Sequence, residues 1–314
     1  MSASTLRLLA GLCAAAALGG CGVGPGNSPS GGVGLTVTRD FGGRPLVERR
    51  RAKVAGADTV MRVLQRNAKV GTRFGGDFVQ SIDGVAGGHE AGRPVDWFIY
   101  VNGSQTEKGA SAIDVHGGDR LWWDHHDWGV TPEIPAVVGS FPEPFLHGTE
   151  GKRLPVRVEC EDPRAGACDV VAKKLIALGV PAGRSTISHS AADNTVRVLV
   201  GPWSQLRGGD AESGAIDNGP RASGVFARFD ASAAHLDLLD PRGRVARTLG
   251  AGAGLIAATR EKDRQPVWFV TGTDDAGVAS AAQAFGEATL HDRFALAVSQ
   301  GLAMSVPIQE AGGP

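Results

Sequence analysis

The tightest constraint on this chain is a strand that must double back. Trp97-Phe98-Ile99-Tyr100-Val101 is an unbroken run of β-formers ending at Asn102-Gly103. That pair accepts the positive φ angles of a two-residue type I′ hairpin turn. A second turn signal, Gly117-Gly118-Asp119, leads into Leu121-Trp122-Trp123-Asp124-His125-His126. Upstream, Leu35 to Phe41 alternates like a strand, and Leu46 to Val54 follows as a second after the Gly42-Gly43 turn. Asp58 is expected to N-cap a helix carrying Val60, Met61, Val63 and Leu64. Phe78 to Ile82 then precedes the Asp83-Gly84 turn. Two strands, one helix and further strands describe a small α+β unit over residues 35–130.

The length of 314 residues allows a second unit of similar size. Pro132, Pro135, Pro142 and Pro144 mark residues 131–150 as an interdomain linker. Residues 151–314 alternate strand and helix patterns: a strand ending at Cys160, a helix through Val170, Val171 and Leu175, and a buried strand Thr195–Val200. A hairpin is expected from Val225–Phe229 and His235–Leu239. A strand Val267–Gly272 enters a helix capped by Thr273 or Asp274. These patterns predict a mixed α/β domain after the first unit. The overall fold class is therefore α+β.

The N-terminus reads as an address. Arg7 precedes the apolar run Leu8–Leu18, which has the length of a signal-peptide core and is too short to span a membrane. It ends in Leu18-Gly19-Gly20-Cys21, which resembles the bacterial lipobox, where cleavage before a cysteine precedes its acylation. Residues 1–20 are thus expected to be a signal peptide, Cys21 the lipid attachment site, and 21–34 a Gly-, Ser- and Pro-rich tether. The expected location is the extracytoplasmic face of the cell membrane. Cys13 leaves with the signal, so Cys160 and Cys168 remain as an even pair in an oxidising compartment and are expected to form a disulfide. A metal pair is the rival reading, without the close spacing or nearby histidines of a zinc site. With 32 basic and 33 acidic residues, the chain lacks the basic excess of a nucleic-acid binder.

The segment around Thr59–Leu64, Ile82-Asp83-Gly84, Tyr100-Val101-Asn102-Gly103, Gly109-Ala110 and Gly118-Asp119-Arg120-Leu121-Trp122-Trp123 resembles the DUF4430 domain. That domain is similar to the C-terminal domain of transcobalamin and intrinsic factor. The resemblance covers about 95 residues of 35–130 and stops before the second unit. It implies a β-grasp-like fold and, by association, corrinoid uptake. The motif residues themselves have structural explanations: Asn102-Gly103 makes a turn, and Asp119 is expected to bond nearby amides.

The most concentrated chemistry is Trp122-Trp123-Asp124-His125-His126-Asp127-Trp128. As a strand, it puts Trp122, Asp124, His126 and Trp128 on one face and Trp123, His125 and Asp127 on the other. Trp122, Trp123, His125, His126, Trp128 and Tyr100 are the candidate ligand-binding residues, forming an aromatic platform with imidazoles. The opposing reading is that the tryptophans pack the core and the polar residues solvate an edge. A metal site on one face would need help from His89 or His116. Thr271-Gly272-Thr273-Asp274-Asp275 is read as a helix cap, Gly250–Gly254 lacks the G-x-G-x-x-G form, and His189 between Ser188 and Ser190 as a loop. No G-x-S-x-G, H-E-x-x-H, P-loop or EF-hand loop occurs.

The expected function is a non-enzymatic surface lipoprotein. It would bind a small ligand, for which the resemblance suggests a corrinoid and the histidines a metal, and pass it to a membrane transporter. No catalytic residue, resident cofactor or metal ligand is assigned. An envelope adhesion or scaffold protein, or a hydrolase with its site in 151–314, remain the alternatives.

Overall fold

The computed structural model describes residues 32–309 except 55, 77, 189–192 and 263. The expected signal, Cys21 and the tether up to residue 31, as well as His189, lie outside the described residues. The fold is α+β and mostly strand, about 20% helix and 37% strand.

The first unit runs β1 (Gly34–Arg39), β2 (Arg44–Arg49), α1 (Val60–Asn67), β3 (Val70–Arg73), β4 (Phe78–Ile82), β5 (Val85–Ala86), β6 (Gly88–Glu90), β7 (Arg93–Val101), β8 (Ser104–Gln105) and β9 (Arg120–Asp127). Its main sheet has the order β2-β1-β9-β7-β6, with β8 paired to β7. The last strand, β9, is inserted parallel to β1 and antiparallel to β7. A first hairpin, a helix crossover and a final strand laid beside the first make the topology β-grasp-like. Helix α1 buries Val60, Met61, Val63 and Leu64 in one core with Leu35, Val37, Leu121 and Trp123. Its N-cap is Thr59 and not the expected Asp58. Asp58 is buried and accepts two bonds from Arg66, at 2.9 and 3.1 Å, while the Thr59 hydroxyl accepts from the Arg62 amide. The capping role passes to the next residue because the acid is already engaged.

The second unit contains β10 (Val156–Cys160), α2 (Gly166–Ala177), β11 (Ala182–Thr186), β12 (Val196–Pro202), α3 (Trp203–Leu206), α4 (Ala211–Asp217), α5 (Pro220–Ser223), β13 (Ala227–Phe229), β14 (Leu236–Leu239), β15 (Val245–Leu249), β16 (Gly254–Thr259), β17 (Val267–Gly272), α6 (Asp275–Ala284), α7 (Glu287–Leu290), β18 (Ala295–Ser299) and β19 (Leu302–Val306). The main sheet is ordered β11-β10-β12-β17-β16-β18-β19, parallel from β11 to β17 and antiparallel beyond. Its central strands are buried along their whole length. That is why they read as continuous apolar runs, not as alternation. Val198, Val200, Trp268 and Val270 face α2 and α6, while Leu199 and Phe269 face the β13-β14-β15 sheet. The expected hairpin of β13 and β14 is present, and Asp274 caps α6 through the Gly277 amide at 2.8 Å. Cys160 and Cys168 form the expected disulfide, tying the end of β10 to the first turn of α2.

Residues 131–150 connect the two units as a buried wedge. Ile134, Ala136, Val137, Val138, Phe141 and Phe145 are all enclosed. The Val137 amide bonds the Gly103 carbonyl at 2.8 Å, and Phe141 and Phe145 pack against Trp268 and Phe285. The prolines suggested a spacer, but the apolar residues between them seat the segment in both units. One hydrophobic cluster accordingly holds Phe41, Tyr100 and Trp122 of the first unit with Phe226, Phe269 and Phe294 of the second.

Candidate functional site

Strand β9 keeps the alternation expected of it, yet both of its faces are covered. Trp123 packs in the core under α1. His125 leans on Trp97 at 5.1 Å and bonds the Ala86 carbonyl, and its burial pushes its pKa down. On the opposite face, Trp122, Asp124 and His126 meet the second unit. His126 is stacked between Phe41 and Phe98, at 4.5 and 4.3 Å, with Phe294 edge-on at 5.3 Å. Tyr100 is fully enclosed beside Trp122 and Phe294, and burial raises its pKa well above the ordinary phenol value.

Hence the expected open platform of Trp122, Trp123, His125, His126 and Tyr100 is not open. Its residues are core, split between two clusters by the pleat. Trp128, 39% exposed beyond the end of β9, is the expected residue that remains accessible. The correction has a physical cause. Alternation identifies a strand, but nothing local to the strand reveals that a second unit will cover its other face.

On the face of β9 that meets the second unit, Asp124 and His126 are bonded to each other and to the 38–42 segment. The Asp124 carboxylate accepts from the Thr38 hydroxyl at 2.5 Å, the Phe41 and Gly42 amides at 3.0 Å each, and pairs with His126 Nδ1 at 2.8 Å. Trp122 Nε1 donates in turn to the Thr38 oxygen at 2.8 Å. Asp40 and Phe41 both sit at positive φ, which aims successive amides at one anion. The anion is the protein's own Asp124. This network explains the acid and the imidazole without a ligand.

The DUF4430-like signature forms a second network. Asn102 and Gly103 take positive φ, as a type I′ turn requires. The Asn102 amide donates to Asp119 at 2.9 Å and to the Gly148 carbonyl at 2.8 Å, and its oxygen accepts from the Arg120 amide. Asp119 also accepts from the His116 amide at 2.7 Å. The Asn-Gly and Gly-Asp signatures are thus bonded to each other, and together they hold Arg120 at the start of β9.

Arg120 opens onto a cleft of about 850 Å³ between the two units. Its walls are β1, β2 and the start of β9 on one side, and the 139–147 segment with α7, His291 and Asp292 on the other. Arg120 donates to the Phe141 carbonyl at 2.9 Å and to Glu287 at 2.6 Å, crossing from one unit to the other. Glu143 is buried and accepts from the His147 amide at 2.8 Å. It also pairs with His147 Nδ1 at 2.6 Å. Burial raises the Glu143 pKa, and its bonds to His147 oppose that rise. The His147 ring is 44% exposed and lies over Gly118. His291 is held between Asp292 at 3.1 Å and Glu48 at 3.9 Å, and the bond to Asp292 raises its pKa.

Two glycines allow close approach beside the cleft, Gly139 in its wall and Gly42 against Asp292. A Cβ on Gly139 would lie 2.6 Å from the Trp122 ring and 2.7 Å from the Arg293 amide. A Cβ on Gly42 would lie 1.9 Å from the Asp292 carbonyl. Trp122, which lines the cleft, is therefore the link between the sequence-derived candidates and the observed cavity. The rest of the lining escaped sequence reasoning, because Arg120, Glu143, His147, Glu287 and His291 are scattered over both units. The Glu-x-x-x-His spacing of residues 143–147 was the available signal.

Among the described residues, no group of three His, Cys, Asp or Glu side chains is placed to hold a metal ion. No described helix is long and apolar enough to cross a membrane. The arrangement offers guanidinium and imidazole donors alongside carboxylates, a set suited to hydrogen-bonding a polar small molecule.

Residues 57–127, within the first unit, match the family described as domain of unknown function (DUF4430). No curated protein matches the chain.

Proposed function

We propose that the protein is a lipid-anchored, extracytoplasmic binding protein that takes a small polar ligand in the cleft between its two units and passes it to a membrane transporter. The observation that carries this reading is the cavity itself. Its volume of about 850 Å³ falls in the range of small-molecule sites, which favour junctions between domains. Arg120, His147 and His291 would supply donors, Glu143 and Glu287 acceptors, and Trp122 an apolar wall. The anchor rests on Leu18-Gly19-Gly20-Cys21 and the Gly-rich stretch after it. The resemblance to the cobalamin-enclosing domain makes a corrinoid the first ligand to test.

Two measurements separate the parts. Palmitate labelling in cells should mark the wild type and disappear in Cys21→Ala, together with membrane retention. Calorimetric titration of residues 22–314 with cyanocobalamin and cobinamide should show saturable binding, weakened about tenfold or more in His147→Ala at a temperature where circular dichroism shows the variant folded. No heat with either compound at tens of micromolar would sink the corrinoid assignment. Binding unchanged in His147→Ala would sink the cleft as the site.

An adhesion role has its own observation. Phe74, 81% exposed, and Phe78 form an edge-to-face pair 6.1 Å apart on the small β3-β4-β5 sheet. An exposed aromatic pair of this kind suits contact with another macromolecule. Loss of partner capture in Phe74→Ser, with cleft binding intact, would favour that reading.

A further inference from the structure

The edge of the first sheet carries a cationic strip that begins at the cleft and extends beyond it. Strand β2 is an edge strand, paired only to β1 within its sheet. From it and the residues after it project Arg44, Arg49, Arg50, Arg51 and Lys53, all exposed, against a single acid, Glu48. Arg44 lies 3.3 Å from Asp40 and so is partly neutralised. Among the described residues, Arg49 donates to the neighbouring Glu48 carbonyl. Among the described residues, Arg50, Arg51 and Lys53 have no ion-pair partner. Within the strip, Leu46 is 41% exposed, an apolar side chain set among cations.

The chain enters the fold at this same place. The Val33 carbonyl accepts from the Ala52 amide at 2.7 Å, and Gly32 lies against the Arg51 side chain. Ten residues, 22–31, separate Gly32 from Cys21, the expected anchor point. Even fully extended they reach about 40 Å. A protein anchored at Cys21 therefore keeps this strip within about 40 Å of the lipid surface.

We propose that the strip of Arg49, Arg50, Arg51 and Lys53 around Leu46 docks on anionic phospholipid headgroups and orients the anchored protein. Charge complementarity gives the attraction, and Leu46 meets the apolar edge of the interface. Gly32, Gly34, Arg49 and Arg50 also line the cleft, so docking turns the mouth of the cleft toward the membrane. That orientation suits delivery to a transporter. The inference rests on the lipid-anchor reading, and its test uses protein without the anchor.

The test is co-sedimentation of residues 22–314, which retain every described residue, with vesicles. One set contains 30% phosphatidylglycerol in phosphatidylcholine, and the other phosphatidylcholine alone. Binding is expected to the anionic vesicles only and to fall with added salt. Arg51→Gln/Lys53→Gln, at two positions that do not themselves line the cleft, should weaken it more than tenfold. Arg164→Gln/Arg221→Gln, the same charge change on the second unit, should leave it unchanged. Equal binding to both vesicle types, or equal loss in the two variants, would overturn the proposal. So would full competition by soluble polyphosphate at equal phosphate concentration, which would make the strip a soluble-polyanion site. Absent palmitate labelling with vesicle binding intact would remove the anchor and leave the surface.

Discussion

Two carboxylate–imidazole pairs of almost the same geometry occupy opposite situations in this molecule. Asp124–His126, at 2.8 Å, lies in the shared core with both side chains at most 1% exposed. Glu143–His147, at 2.6 Å, has an enclosed acid but an imidazole that is 44% exposed in the cleft. The first pair has used its bonding capacity on Thr38, Phe41 and Gly42. The second keeps a ring face toward solvent. Distance between acid and base therefore says little about role, and the environment of the ring decides it.

The largest expected effect comes from breaking the buried pair. Asp124→Ala leaves the Phe41 and Gly42 amides and His126 without their acceptor. It should cost about 3–5 kcal/mol in urea denaturation. A loss under about 1 kcal/mol would mean that the network is not structural. Next is Gly139→Ala, whose Cβ meets the Trp122 ring and the Arg293 amide. Overpacking there should cost about 1–3 kcal/mol and narrow the cleft, read from the denaturation midpoint. Glu143→Gln keeps the shape of the acid and an acceptor for the His147 amide. Its stability cost should be about 1 kcal/mol or less, with its main effect on ligand titration.

The smallest effect is a pH dependence. Pairing with Asp292 raises the folded-state pKa of His291. Its stabilisation is therefore complete below the unfolded value of about 6.5 and is lost as pH rises through the raised folded value. Because the ring is about a third exposed, the slope should be shallow. It should shrink in Asp292→Asn, with Glu48 still beside the ring, when denaturation is repeated from pH 6 to pH 8.

The sequence disclosed local structure well and enclosure poorly. The Asn102-Gly103 turn, the alternation of β9, the helix at Val60 and the disulfide followed from patterns of nearby residues. The burial of Trp122 and His126 did not, because it depends on Phe294, far along the chain in the second unit. The prolines of 131–150 were visible, while their apolar neighbours gave no sign that the segment would wedge between sheets. Of the cleft, only Trp122 stood among the candidates. The motif Asn102 and Asp119 were rightly given structural roles, but their bond to each other required the folded chain.

The contrast between the two pairs is tested most directly by histidine footprinting. Native protein (residues 22–314) would be treated with diethylpyrocarbonate at pH 7 and each imidazole quantified by mass spectrometry. His147 should label readily, with His125 and His126 protected until the protein is unfolded in urea. Labelling of His126 in the native protein as fast as His147 would contradict the assignment of the β9 histidines to the core and of the opening to the cleft.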